Sequence, residues 1–277
     1  MTNNNENILI VGGTGKTGRR VARQLTAKGH SVRVASRSTS PRLDLRDEST
    51  WDAVLDGVDA VYIAPPDDPF PVEEFVDRAV KAGVRRLVSL SGRRIQLMDR
   101  EAQTSMARTQ NALRGSGAEW TVLQANNFNQ NFSEGDYRDM VAAGELSFPL
   151  GDTREPVIDA EDIAEVAAVV LTTDGHSQKV YELTGPRGLT FTEIAAEIGK
   201  ATGRSMSVRD VTPEQHEAEL REAGFPEELI GFLNAMYEFM RSGAMAEPTD
   251  HVRRVLGREP ADFADWAAKA AAEGALS

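Results

Sequence analysis

Residues 8–25, ILIVGGTGKTGRRVARQL, lie close to the N-terminus and contain the pattern that best predicts the fold. The first four residues are all apolar, which is the pattern of a strand buried on both faces. A glycine-rich turn follows over residues 12–18, and the helical period beyond it predicts a helix over residues 16–28 that ends at Gly29. Strand, glycine turn and helix in this order indicate the start of a dinucleotide-binding βαβ unit.

The glycines of this turn have separate expected tasks. Gly12 permits the tight turn, Gly15 lets the backbone approach a pyrophosphate, and Gly18 lets helix and strand pack closely. The free N–H groups of the helix terminus would bind the phosphates. The residues of this loop that we expect to contact the cofactor are Gly12, Thr14, Gly15, Lys16, Thr17 and Gly18. The spacing of the glycines excludes the phosphate-binding loop of an ATPase, because Ile10 occupies the position of the first glycine of that motif.

Apolar runs alternate with helical periods along most of the chain, which predicts right-handed βαβ crossovers and an α/β fold with a Rossmann-type, doubly wound parallel sheet. Strands are expected at residues 8–11, 31–36, 42–45, 59–64, 86–90, 119–123, 145–148 and 179–183. Helices are expected at residues 16–28, 49–55, 71–81, 99–114, 136–143, 159–171, 192–202, 213–223, 227–241 and 261–272. We assign residues 1–130 and 156–186 to the cofactor domain, and residues 131–155 and 187–277 to a smaller, mostly helical substrate lobe.

The end of the second strand predicts which nicotinamide cofactor binds. NAD-selective sites place an acidic residue there, whereas NADP-selective sites place an arginine for the extra phosphate. Here the strand ends in Ser36, Arg37 and Ser38, and no acid follows until Asp44. Arg37 would bind the 2′-phosphate and the two serines would add hydroxyl donors. The expected cofactor is therefore NADP(H).

Charge and composition exclude several classes of function. The net charge is −12, from 31 basic and 43 acidic residues, which argues against a nucleic-acid groove and against an anionic membrane surface. The chain has no cysteine, its four histidines are scattered, and we expect no metal site. The polar N-terminus does not resemble a signal peptide, and no run approaches the ~18 apolar residues of a membrane span. We expect a cytoplasmic monomer or homodimer with a small-molecule substrate.

The proton donor of common short-chain dehydrogenases, a Tyr followed four residues later by Lys, is absent. Four residues after Tyr62, Tyr137, Tyr181 and Tyr237 stand Pro66, Val141, Gly185 and Arg241. Tyr137, outside the expected strands, is a candidate proton donor or substrate anchor, and the alternative is that its ring packs the lobe against the sheet. Without a placed acid, electrophilic acceptors such as an iminium or a quinone are favoured over an ordinary ketone.

Four segments together resemble the NmrA-like branch of the atypical short-chain dehydrogenases. They are ILIVGGTGKTG (8–18), VASRSTSP (34–41), VYIAPP (61–66) and GVRRLVSLSG (83–92), and they are most similar to the festuclavine-dehydrogenase type of ergot alkaloid reductase. The resemblance implies that the nicotinamide lies beside Ala64, Pro65, Pro66, Ser91, Asn126, Asn127 and Phe128. The chain departs from the family at Gln124-Ala125, where Arg-Pro is common, and at Met106 and Gln110, where many members carry Lys or His.

The family includes NADPH-dependent quinone reductases, azoreductases, iminium reductases and regulators that bind the dinucleotide without turnover. The resemblance therefore implies an NADPH-dependent reductase that transfers hydride to a small iminium, quinone or activated carbonyl, such as a secondary metabolite. Two alternatives stay open: a regulator that senses NADP(H), and a structural subunit without chemistry. An enzyme would have a closed apolar pocket over the nicotinamide, whereas a sensor would have a docking surface.

Overall fold

The computed structural model describes residues 6–98, 104–135 and 137–277. Within them the strands are β1 (Asn7–Val11), β2 (Ser31–Ala35), β3 (Ala60–Ile63), β4 (Arg86–Gly92), β5 (Glu119–Ala125), β6 (Glu145–Phe148), β7 (Lys179–Leu183) and β8 (Ser207–Asp210). The helices of the first half are α1 (Gly18–Ala27), α2 (Trp51–Leu55), α3 (Val72–Lys81), α4 (Ile95–Met98), α5 (Ser105–Gly115), α6 (Asn131–Glu134) and α7 (Arg138–Ala143). Those of the second half are α8 (Ala160–Thr172), α9 (Phe191–Thr202), α10 (Pro213–Glu222), α11 (Glu227–Arg241), α12 (His251–Leu256) and α13 (Phe263–Ala272).

The first of two compact units comprises Met1–Ala125, Ala160–Leu183 and His251–Arg258. It contains a parallel sheet with the order β2-β1-β3-β4-β5-β7, which confirms the expected Rossmann-type α/β fold. Helix α1 packs on α8, and α3 packs on α5. The strands are apolar on both faces because each face is covered by helices. Trp51 of α2 and Phe75 of α3 meet edge to face, with ring centroids 5.3 Å apart, in one of the two core layers.

The order of the strands places a crevice at one edge of this sheet. The chain leaves β1 towards β2 on one side, and then returns to form β3 on the other side of β1. At such a switch point the two connections diverge and leave an opening at the carboxyl ends of the strands. The turn after β1 and the residues that follow β3 therefore border the opening, where open α/β sheets bind their ligands.

The second unit comprises Asn126–Asp159, Thr184–Asp250 and Glu259–Ser277. Its two strands, β6 and β8, form a small parallel sheet, and α9 packs against α13. Its core is rich in aromatic side chains, among them Phe132, Tyr137, Phe148 and Phe191. No helix among the described residues of either unit has the length and apolar character needed to cross a bilayer.

Some expected elements differ from the structure. Residues 42–45 are not a strand: the Leu43 N–H donates to the Ser36 carbonyl at 2.9 Å and the indole of Trp51 donates to the Asp44 carbonyl at 3.1 Å. These bonds hold the segment as a loop, because its backbone groups are satisfied without a neighbouring strand. Four short or isolated elements, β8, α4, α6 and α12, were not expected from the sequence. Helix α12 packs on α8 and thus belongs to the first unit, not to the lobe of residues 187–277. The first five residues of the expected helix 99–114 and the first of helix 136–143 lie outside the described residues.

Candidate functional site

Two glycines of the loop after β1 are required by the packing of the first unit. Gly12 has φ +75°, and a Cβ there would lie 2.9 Å from the carbonyl oxygen of Ala64. A Cβ on Gly18, at the start of α1, would lie 2.3 Å from the carbonyl oxygen of Gly12. Real Cβ atoms do not approach backbone oxygens so closely, so these glycines let β1, β3 and α1 come together.

Gly15 is different, because the fold makes no comparable demand on it. A Cβ there would meet only the carbonyl oxygen of Gly12, at 3.3 Å, and Gly15 itself is exposed. The loop beside it closes with a hydrogen bond from the Gly15 N–H to the same oxygen, at 3.0 Å. A glycine with this little packing around it leaves room for a ligand to approach the backbone, which is the role of the second glycine in a dinucleotide loop.

The N-terminus of α1 is suited to an anion. Its first turn contains no acidic residue, and the side chain of Thr17 at its N-cap accepts no bond from the helix backbone. The partial positive charge of the first turn is therefore not compensated within the helix. This charge, next to the space at Gly15, is what a dinucleotide loop offers to phosphate oxygens.

The remaining expected loop residues have different environments. Thr14 is exposed and Lys16 is half-buried, with its carbonyl accepting from Arg20 at 2.7 Å. Thr17 is buried, and its hydroxyl accepts a hydrogen bond from the Tyr62 hydroxyl of β3 at 3.0 Å. Burial raises the pKa of Tyr62, so this phenol stays protonated as the donor. The Thr17 side chain thus joins α1 to β3 as an acceptor, and its own hydroxyl proton remains available as a donor.

A cavity of about 310 Å³ opens beside the loop, at the carboxyl ends of β1, β2 and β3. Gly12, Ser36, Ala64 and Pro66 line it, together with Arg37, which is exposed. Among the residues that the structure describes, nothing is paired with the Arg37 guanidinium. The cation is therefore available to an anionic group of a ligand in this cavity.

The loop that carries Arg37 is held by its own polar groups. Ser38 donates its N–H to the Ser36 hydroxyl at 3.2 Å, and the two hydroxyls lie 3.1 Å apart. The Ser36 N–H donates to the Thr39 hydroxyl at 2.8 Å. These bonds fix the backbone next to the cavity, so the Arg37 side chain extends from an ordered turn. The hydroxyls of Ser36 and Ser38 are already hydrogen-bonded to each other.

Asp44 is the first acidic residue after β2 and also lines the cavity. Its Oδ2 accepts from Arg42 at 2.8 Å, and its Oδ1 accepts from the Arg46 N–H at 3.1 Å. Both oxygens are thus engaged within the loop. In the first unit Arg42 and the Arg46 N–H thus already use part of the accepting capacity of this carboxylate, the group that NAD-selective sites use for the ribose hydroxyls.

A buried chain of amides, which the sequence analysis did not anticipate, lies at the ends of β4 and β5. The Gln110 amide of α5 donates to the Ser91 hydroxyl at 2.7 Å. The Gln124 amide of β5 donates to the Gln110 oxygen at 3.0 Å and to the Gln96 oxygen at 3.1 Å. The Arg94 N–H faces the Gln124 oxygen at 3.5 Å. Ser91, Gln110 and Gln124 are at most 3% exposed, so this is a built feature of the first unit.

An ion pair next to this chain was also missed. Arg93, only 4% exposed, donates to Glu182 of β7 at 2.7 Å. Burial works against ionisation of Glu182, but the hydrogen bonds and charges of Arg93 and Arg94 outweigh it and hold the pKa of the carboxyl below its usual value. Neither partner belongs to a sequence motif, so only tertiary structure pairs them.

The predicted site residues of the second unit lie in and near its hydrophobic core. Asn127 and Phe128 are half-buried, and Phe128 bridges to Ile158. Tyr137 is buried, with its ring 5.2 Å from Phe132 and 4.8 Å from Phe148 between centroids. This position within the aromatic core favours the packing role of Tyr137 that the sequence left open beside proton donation.

Comparisons with known proteins agree on one family. The NmrA-like family model matches residues 4–267. An NAD(P)H azoreductase from Xenophilus azovorans is 34% identical over 97% of this chain and 99% of its own length. An agroclavine dehydrogenase from Claviceps fusiformis is 29% identical over 94% of this chain and 95% of its own. The solved NADPH complex of a quinone oxidoreductase from Escherichia coli has the same fold, with a TM-score of 0.80 at 21% identity over 95% and 99% of the two chains.

Gly15 leaves space for a ligand and Gly18 is required by packing, so substitutions at these two residues should affect binding and stability differently. Gly15→Val should abolish dinucleotide binding and leave thermal unfolding cooperative, because its side chain enters space that the fold does not use. Gly18→Val should lower the melting temperature strongly, because its Cβ would press on the Gly12 carbonyl. Calorimetric titration and thermal melts of both variants measure the difference. Undiminished NADPH affinity of Gly15→Val would show that the loop is structural only.

Replacement of one hydroxyl separates the two roles of Tyr137. If the ring only packs, Tyr137→Phe should leave kcat and the pH–rate profile unchanged, whereas Tyr137→Ala should destabilise the protein by about 3–5 kcal/mol. If the phenol is the general acid, Tyr137→Phe should lower kcat by roughly 10²-fold or more. We expect the first result because of the aromatic neighbours. Steady-state kinetics and denaturant unfolding of both variants decide between the two.

Proposed function

The chain belongs to the NmrA-like family, as its motifs predict, and from this premise we propose that it is an NADPH-dependent reductase of small electrophilic substrates. The observation that carries the proposal is Gly15, a glycine in the βαβ loop that the packing does not need. Reductase chemistry is supported by the relatives, among them an azoreductase and an agroclavine dehydrogenase that align over nearly their full lengths.

The residues of the first unit suit NADPH better than NADH. The exposed Arg37 at the cavity carries a charge without a partner among the described residues, and Asp44 is engaged by Arg42 and by a backbone N–H. A 2′-phosphate would meet a cation, whereas a ribose hydroxyl pair would have to share the Asp44 carboxylate with Arg42 and the Arg46 N–H. We therefore propose NADP(H) as the cofactor, with the loop 12–18 at the pyrophosphate.

When bound, the reduced dinucleotide supplies a hydride to the substrate and is left oxidised. The protein contributes the position of the substrate, the exclusion of water and polar contacts at the atom that gains charge. Because α5 contains no Tyr–Lys pair, the best substrates should be hydride acceptors whose reduction needs no proton from an acidic side chain. A quinone becomes a stabilised anion that water protonates, and an iminium becomes a neutral amine. We therefore propose that the substrate is an iminium, a quinone, an azo compound or an activated carbonyl compound.

Cofactor choice is tested at Arg37. The wild-type protein should bind NADPH at least about tenfold more tightly than NADH, because a charge-assisted contact to the 2′-phosphate adds to binding. Arg37→Glu should erase or reverse the preference. Arg138→Glu, an equal charge change at an exposed residue of α7, should preserve it. Calorimetry with both cofactors measures the ratios, and equal wild-type affinities would contradict the assignment of Arg37.

Turnover is tested by NADPH oxidation with a panel of quinones, azo dyes, iminium salts and activated ketones. We expect activity with electrophilic acceptors and little with simple ketones, because the latter leave an alkoxide that needs a placed acid. Tight NADPH binding with no oxidation by any acceptor would instead support the alternative, a regulator that senses the dinucleotide.

A further inference from the structure

The first unit contains a second cavity, beside the edge strand β7. It has a volume of about 530 Å³, and all of its lining residues belong to this unit. We call it the β7 cavity; its lining residues are His176, Gln178, Lys179, Val180, Tyr181, His251, Arg254 and Val255. A cavity of this volume accommodates a small organic molecule.

The β7 cavity is separate from the cavity at Arg37. Strand β7 is four places from β1 in the sheet and forms the edge opposite β2. At about 4.8 Å between neighbouring strands, four steps place β7 roughly 19 Å from β1. Residues 176–181 also lie at and before the amino end of β7, whereas the cofactor cavity lies at the carboxyl ends of β1, β2 and β3. No residue lines both cavities.

Three rings form one wall of the β7 cavity. Tyr181 is in the middle, with its ring centroid 5.8 Å from those of His176 and His251, edge to face in both cases. The Tyr181 hydroxyl and the His176 Nδ1 are hydrogen-bonded at 2.7 Å. The Nδ1 of His251, at the start of α12, accepts from the Glu182 N–H of β7 at 2.9 Å. These bonds hold the rings in place, so a flat molecule meets a surface that is already arranged.

The turn that leads into β7 is fastened to β5. The Gln178 N–H donates to the Trp120 carbonyl at 2.7 Å, and the Thr121 hydroxyl donates to the His176 carbonyl at 2.7 Å. Gln178 adopts φ +59° in this turn, a left-handed conformation that residues with a side chain rarely adopt. Such conformations persist only where surrounding contacts hold them, and they are concentrated at ligand-binding sites. The turn is thus a second feature, besides the cavity itself, that indicates a ligand.

The β7 cavity is positively charged, although the whole chain carries −12. Lys179 and Arg254 line it and are both exposed, and none of the lining residues is acidic. No carboxylate among the described residues forms an ion pair with Lys179. Burial lowers the pKa of His176, and the charges of Lys179 and Arg86 lower it further, so a positive potential reaches the wall of rings. An anion in the cavity would be attracted by these charges.

We propose that the β7 cavity binds a small organic anion, a flat and mainly apolar body that carries one carboxylate or phosphate group. The oxyanion contacts Lys179 and Arg254, whose guanidinium fork matches two oxygens at once. The flat body lies along the wall of rings and against Val180 and Val255. The proposal is independent of the reductase function, because the two cavities share no residue.

The histidines of the chain report where a ligand binds. There are four, of which His176 and His251 line the β7 cavity while His30 and His216 do not. In protein with ¹³C-labelled histidine, 2-naphthoate should shift the ring signals of His176 and His251 and leave the other two unchanged. The pattern should be the same with and without NADP⁺, because the two sites are separate. Any other pattern of shifts, or none, would overturn the proposal.

The charged contacts are tested by calorimetric titration with 2-naphthoate. Lys179→Glu and Arg254→Glu should each weaken binding about fivefold or more, because each variant loses a charge-assisted contact and gains a repulsion. Arg253→Glu is the matched control, an equal charge change at an exposed residue of α12 that does not line the cavity, and its affinity should stay within about twofold. Wild-type affinity in both cavity variants, or an equal loss in the control, would contradict the assignment.

A ligand series tests the head group and the body separately. 2-Naphthamide, which has the rings without the charge, should bind at least about fivefold more weakly than 2-naphthoate. Inorganic phosphate, which has the charge without the rings, should bind roughly tenfold more weakly or less tightly still. Tighter binding of 2-naphthyl phosphate than of 2-naphthoate would identify a phosphate ester as the ligand class, and weaker binding a carboxylate. The proposal fails if the amide or inorganic phosphate binds as tightly as 2-naphthoate.

Discussion

The close approach of three backbone segments around Gly12 is the constraint on which the first unit depends. The turn after β1 lies so near the Ala64 carbonyl and the start of α1 that a Cβ on Gly12 or Gly18 would lie within 2.9 Å or 2.3 Å of a backbone oxygen. This contact holds the N-terminus of α1 over the carboxyl ends of β1 and β3. The space at Gly15 lies between these two tight contacts, where a Cβ would meet only the Gly12 carbonyl oxygen, at 3.3 Å.

Local charge, and not the net charge of −12, decides what this edge of the sheet can bind. The carboxylates near the loop and cavity are held by cations: Asp44 by Arg42, Asp68 by Arg46 and Glu161 by Arg20 and Arg23. The first turn of α1 has no acidic residue, and the guanidinium of Arg37 has no partner among the described residues, so the proposed phosphate site keeps its positive charge. An acidic protein can therefore offer an anion site, because paired carboxylates contribute little field at short range.

The polar groups at the carboxyl ends of β4, β5 and β7 are bonded to one another. Gln110 joins Ser91 of β4 to Gln124 of β5, and Arg93 pairs with Glu182 of β7. Buried polar groups that have partners rigidify their surroundings, so these bonds hold the three strand ends in one arrangement.

Local patterns were enough to predict the parallel α/β fold, the glycine loop and the place of Arg37, because each rests on apolar runs, glycine spacing or the residue at a strand end. They also predicted most helices of the second unit, whose periods are long and clear. They did not show that Thr17 bonds to Tyr62, that Asp44 is engaged, or that residues 42–45 form a loop. The order Ser91–Gln110–Gln124 and the pair Arg93–Glu182 were likewise decided only by tertiary structure. Their partners are 14 to 89 residues apart in the chain, and hydrogen-bond direction depends on which groups meet in space, information that no local pattern carries.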